Sequence, residues 1–133
     1  MIKHIEDIAV MPGVVITPCG SRVTCNPPVL DTDADYLVFV CPTFEKSANN
    51  CLSDLVKYFD QNGFIWEGSE HYQDMSENSF TSWRKDNINL IVTKNYNFCK
   101  NHINATALCK ALNLLDKRDR VTVFQAILYG SFP

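Results

Sequence analysis

The chain has 133 residues, 46% of them hydrophobic and 11% aromatic, and carries a net charge of −3. That length suits one buried core and not two, and the hydrophobic content excludes a disordered chain. With acidic and basic residues interspersed, no strongly positive face is announced, so tight generic binding to duplex nucleic acid is not expected.

The first residues, Met1 to Asp7, contain no uninterrupted apolar stretch of signal-peptide kind. No later run approaches a membrane-spanning length. A cytoplasmic protein without a membrane partner is the expectation. Six cysteines (Cys19, Cys25, Cys41, Cys51, Cys99, Cys109) are spread along the chain with no Cys-x-x-Cys pair. Cys99 and His102 lie three apart on a predicted helix, but no second pair answers them, so reduced and mostly buried thiols are expected rather than a zinc site.

Residues 2–10 read as a short helix stopped by Met11-Pro12-Gly13. Val14 to Thr17 is β-branched and continuous, the mark of a buried strand. It runs into Pro18-Cys19-Gly20-Ser21 and then a loop holding Asn26-Pro27-Pro28, which neither a central strand nor a helix interior accepts. Residues 33–40 form a second strand, polar where it starts and apolar where it ends. Ser47 is placed to cap a helix reaching about Gln61, with Gly63 beyond its end and Leu52, Leu55, Val56 and Phe59 as its apolar stripe. Residues 64–66 are a short strand, 67–79 a polar loop, and 80–84 and 88–93 two more strands. Two helices, 97–113 and 117–129, complete the chain, and Asp116 and Asp119 suit the positive end of the second. The reading is one α+β domain over residues 1–133: a mixed sheet of four to five strands with helices packed on it.

The sharpest feature is Gly20-Ser21, then eleven residues, then Asp33-Ala34-Asp35. Glycine ending a strand allows a sharp turn and a close backbone approach to a ligand. N–H groups and the serine hydroxyl at such a turn hold phosphate oxygens well. Asp33 and Asp35 alternate along a strand and so project to one side, about 7 Å apart. Two carboxylates so placed share divalent ions that neutralise a triphosphate and polarise the attacking and leaving oxygens of an in-line displacement.

The segment Val15-Ile16-Thr17-Pro18-Cys19-Gly20-Ser21-Arg22 through Asp33-Ala34-Asp35-Tyr36 resembles the signature of the DNA polymerase β-like nucleotidyltransferase superfamily. The C-terminal half, from Trp83-Arg84 through Asn89-Leu90-Ile91-Val92 to residues 123–130, is more loosely similar to small nucleotidyltransferase-like proteins encoded by bacteriophages. The resemblance implies that Gly20 and Ser21 hold the triphosphate of a nucleoside triphosphate, while Asp33 and Asp35 bind Mg2+ or Mn2+. Family members place a third carboxylate on a later strand, where it ligates one ion and helps deprotonate the acceptor. Here Asn89 stands at that position; an amide offers a carbonyl oxygen but is no base near neutral pH. Asp86 is nearby, but strand alternation points it to the opposite face.

Two functions follow from this pattern. One is metal-dependent transfer of a nucleotide monophosphate to an acceptor hydroxyl on a protein, an RNA end or a small molecule, slowed by Asn89. The other is a catalytically degraded fold serving a phage as a nucleotide-binding module or as an inhibitor of a host protein. Arg22 is read as a phosphate ligand or a surface ion-pair partner, the two being even. Lys94, His71 and the cluster Lys117, Arg118 and Arg120 are read as solvated surface, and Trp66, Trp83, Phe124 and Tyr129 as core.

Overall fold

A computed structural model of the chain describes residues 2–28, 33–68 and 80–129. In chain order the elements are α1 (Ile2–Ala9), β1 (Val14–Cys19), α2 (Ser21–Thr24), β2 (Ala34–Val40), α3 (Ala48–Gln61), β3 (Ile65–Gly68), β4 (Thr81–Lys85), β5 (Ile88–Thr93), α4 (Tyr96–Leu112) and α5 (Lys117–Tyr129). The strands make one mixed sheet ordered β1-β2-β5-β4-β3. β2 and β5 run parallel at its centre, while β1, β4 and β3 pair antiparallel with their neighbours.

Alternation along the two central strands sorts their side chains between two cores. Tyr36, Val38 and Val40 of β2, with Ile88, Leu90 and Val92 of β5, face a core built with Ile8 of α1 and Cys51, Leu55 and Phe59 of α3. Leu37 and Ile91 face the other side, where Cys19, Phe80, Phe98 and Cys99 pack. A third cluster, Ala105, Cys109 and Phe124, joins α4 to α5. The expected stripe on α3 divides: Leu55 and Phe59 are fully buried, whereas Leu52 packs only partly. Ser47 caps α3 by accepting from the Asn50 N–H at 3.1 Å, as its sequence position foretells. Asn95 caps α4 in the same way, accepting from the Phe98 N–H at 3.0 Å.

Some local expectations change. β1 continues through Pro18 to Cys19 because it is an edge strand, where a missing N–H costs no ladder bond on the open side. β3 extends through Glu67 and Gly68, which the sequence reading gives to the loop; residues 69–79 of that loop, His71 included, lie outside the described residues. Trp66 is 61% exposed on the β3 edge and is not core. Trp83 does pack against the core, 4.8 Å from Phe59 between ring centroids, and Phe124 is buried. The Tyr129 side chain lies outside what is described. All six cysteines are free, and five of them are buried. Among the described residues, no helix is long and apolar enough to cross a membrane.

Candidate functional site

The candidate site is a cleft of about 490 Å³ on the α4/α5 face, at the end of the sheet where β2 and β5 begin. Strand register assembles it. Cys19 pairs with Asp35, Asp35 with Asn89, and Asn89 with Arg84, so four side chains from four strands form one row across the sheet. Asp33 sits just before β2, two residues back along the chain from Asp35. Gly20 and Ser21 close one end of the row, and α5 provides the opposite wall through Lys117, Arg120, Val121 and Phe124.

Gly20 is required here twice over. Its φ of +76° lies in the region L side chains rarely adopt, and a Cβ there would fall 2.2 Å from Asp35 Oδ2. The sequence reading reserves that close approach for a ligand; the structure gives it to the Asp35 carboxylate. After the turn, Gly20 O accepts from the N–H groups of Val23 and Thr24 at 3.0 Å each, which winds α2 into a single turn carrying Ser21. Arg22 follows on the same turn but does not line the cleft.

Around the row, the polar partners are specific. Asn89 Nδ2 donates to Asp35 Oδ1 at 3.2 Å. The carboxylate fixes the amide's orientation, since a carbonyl oxygen turned towards it would be repelled. This leaves Asn89 Oδ1 buried with no hydrogen-bond partner. Arg84 Nη1 donates to Asp33 Oδ2 at 2.5 Å, and Arg84 Nε donates to Glu67 Oε1 at 2.9 Å. The hydrogen bond that Arg84 donates to Asp33, above all, raises the Arg84 pKa further. Burial, reinforced by the Asp35 charge, pushes the Cys19 thiol well above its ordinary range, so it is no nucleophile at neutral pH. Below them, His102 is buried and lines the cleft; burial lowers its pKa to about 4, which keeps the imidazole neutral.

The structure therefore brings Gly20, Ser21, Asp33, Asp35 and Asn89 around one cleft and leaves Arg22 outside its wall. Asp86 occupies the β4–β5 turn at φ 50° and is exposed, away from the row. Lys94 binds Asn49 Oδ1 at 2.6 Å on the exposed surface. Lys117 and Arg120, read from sequence as solvated, line the cleft, whereas Arg118 does not. Arg120 also ties down the α4–α5 connection through Leu114 O at 3.0 Å and Leu115 O at 2.7 Å. Sequence reasoning misses Arg84 as a site residue altogether. The signal was a basic side chain on a strand beside Asn89, meaningful only once β4 is paired with β5.

The donor set bears on which ions the cleft can take. Among the described residues, no three His, Cys, Asp or Glu side chains converge as a metal site. Asp33 and Asp35 are the two carboxylates in the cleft wall that could hold a divalent cation, while the Asn89 amide turns its N–H to Asp35 and its oxygen away. The pair does not reproduce a three-carboxylate site for two cations.

No protein-family model matches the chain, and no curated protein sequence matches it. Among solved structures, the chain is similar to terminal uridylyl transferase 4 from Trypanosoma brucei with bound UTP and UpU, at a TM-score of 0.50 and 16% identity. The match covers 83% of this chain and 37% of that one, so the chain spans little more than a third of the neighbour's length. With its mixed five-stranded sheet and flanking helices, the chain has the nucleotidyltransferase, polymerase β-like fold.

Proposed function

We propose that the cleft binds a nucleoside triphosphate and transfers its nucleotide monophosphate to an acceptor hydroxyl, releasing pyrophosphate. The carrying observation is the placement of Asp35 against the Gly20 turn, with Ser21, Asp33 and Asn89 lining the same cleft. The similarity to a uridylyl transferase structure that contains UTP and UpU supports a nucleotide as the ligand and an RNA end as one acceptor class.

In this reading, Ser21 and the start of α2 hold the outer phosphates, and Lys117 on the facing wall balances their charge. Asp33 and Asp35 would hold one Mg2+ or Mn2+, which supplies charge neutralisation at the triphosphate. The acceptor oxygen forms its bond to the α-phosphorus as the bond to pyrophosphate breaks, and the chain's contribution is alignment and electrostatics. The acceptor's proton meets an amide at position 89 rather than a carboxylate, so the transfer is slow. Asn89 also favours a second reading, a nucleotide-binding module with transfer lost, including the phage-encoded form that acts on a host protein.

Radiolabelled nucleoside triphosphates, Mg2+ or Mn2+ and candidate acceptors, incubated with the protein and with a double Asp33→Ala, Asp35→Ala variant, test both. Pyrophosphate released by the wild type and lost in the variant supports transfer. Metal-dependent binding without release supports the binding module. Equal nucleotide binding by the two proteins overturns the site.

A further inference from the structure

Arg84 and Glu67 extend from Asp33 as a chain of charge that the nucleotide reading leaves unused. The Arg84 guanidinium spans two carboxylates, with Nη1 on Asp33 Oδ2 and Nε on Glu67 Oε1. It is held from both sides at once, and its side chain is only 30% exposed. Because its strand partner is Asn89, it emerges beside the position where the third carboxylate is missing.

Resting on the nucleotide reading, we propose that Arg84 is a built-in replacement for one divalent ion: the cleft takes a single cation per bound nucleotide, and the guanidinium neutralises the charge a second cation would otherwise meet. Three observations support this. An Asp33 oxygen that accepts from Arg84 is withdrawn from bridging two cations. A guanidinium stays charged at every accessible pH, so its repulsion of a nearby dication is permanent. Asn89 removes one negative charge from the row, and Arg84 cancels another, which leaves too little anionic charge to gather two dications. Glu67 is then a positioning residue: it anchors Nε and leaves the Nη edge aimed at Asp33 and the cleft. A fixed fork of donors also reaches phosphate oxygens with defined geometry, which a hydrated ion does not.

The test counts ions rather than turnover. The protein is saturated with α,β-imido nucleoside triphosphates of the four bases, and bound Mn2+ per chain is measured by electron paramagnetic resonance. Wild type is expected to hold one Mn2+ per bound nucleotide, with any further site at least about tenfold weaker. Arg84→Gln is expected to hold two, and Arg84→Lys, which restores a cation, to return to one. Glu67→Gln is expected to keep one while weakening nucleotide affinity. Two tight ions in the wild type, or one in Arg84→Gln, overturns the proposal while leaving nucleotide binding intact. Should no analogue bind the wild type with or without Mn2+, the nucleotide reading itself fails and this inference with it. The wild-type count decides the matter even where a variant does not fold.

Discussion

The two faces of the central strands are built from the same backbone and contain opposite chemistry. On the α1/α3 side, Val38, Val40, Leu55, Phe59 and Leu90 are fully buried in an almost unbroken apolar cluster. On the α4/α5 side, the buried set includes Thr24, Ser82, Thr93, His102 and Thr106, and the row Asp35, Asn89 and Arg84 opens into the cleft. A one-residue step along β2 or β5 crosses from one regime to the other. One face supplies cohesion, and the other holds polar groups that the first makes affordable. Each of the following substitutions sharpens or breaks that division.

The largest effect belongs to the apolar face. Phe59 is fully buried, with its ring centroid 5.2 Å from that of Phe64 and 4.8 Å from that of Trp83. Phe59→Ala is expected to destabilise the protein by about 4 kcal/mol in urea unfolding. A loss under about 1 kcal/mol would mean that this side is not the stabilising core.

Next comes the titration of His102 on the polar face. Its folded pKa of about 4 lies below the ordinary value of 6.5, so between those values the unfolded chain binds the proton more readily. The stability tied to its neutral form is complete above about pH 6.5 and is lost as pH falls towards 4, at most about 3 kcal/mol. His102 packs beside Phe98 and Phe124, at 5.8 and 4.9 Å between ring centroids, so an aromatic replacement suits the site. His102→Phe should flatten the fall in unfolding free energy between pH 6.5 and 4.5. An unchanged slope would assign the acid sensitivity elsewhere.

Gly20→Ala joins the fold to the site. The positive φ and the Asp35 carboxylate in the path of a Cβ together predict a loss of about 2 kcal/mol, with Asp35 displaced from Asn89. Nucleotide binding should weaken more than the stability loss alone explains. If stability falls and binding does not, the turn is merely structural.

What could be read in the sequence was local, and what could not depended on pairing between distant segments. β5 and α5 fall at their expected bounds, residues 88–93 and 117–129, because the apolar run of one and the acidic start of the other, Asp116 and Asp119, are local signals. The Gly20-Ser21 turn and Asp33/Asp35 were legible for the same reason: each is a short pattern with its own geometry. Arg84 was not, because its meaning depends on a register of 84 with 89 and on reaching Asp33, 51 residues away. Lys117 is exposed, as the reading of a solvated first turn has it, but nothing in α5 itself says that Lys117 and Arg120 line a cleft with α2 and β2. Trp66 was misplaced because composition favours burying tryptophan, whereas an edge strand leaves one side open.

The smallest effect compares two ion pairs of like chemistry. Lys46 and Asp54 meet at the surface, with side chains 43% and 38% exposed, where water screens the charges and ordering both chains offsets the attraction. Lys46→Met should leave the urea midpoint unchanged, even though the contact raises the lysine pKa and lowers that of the aspartate. Arg84 differs in having two carboxylate partners and less exposure. Arg84→Met leaves Asp33 and Glu67 without their common cation, and should lower stability by about 1 kcal/mol, a loss that grows at low ionic strength. Equal responses of the two variants to salt would mean that the cleft is no more shielded than open surface, and a guanidinium there would have no advantage over water in offsetting the charge of Asp33.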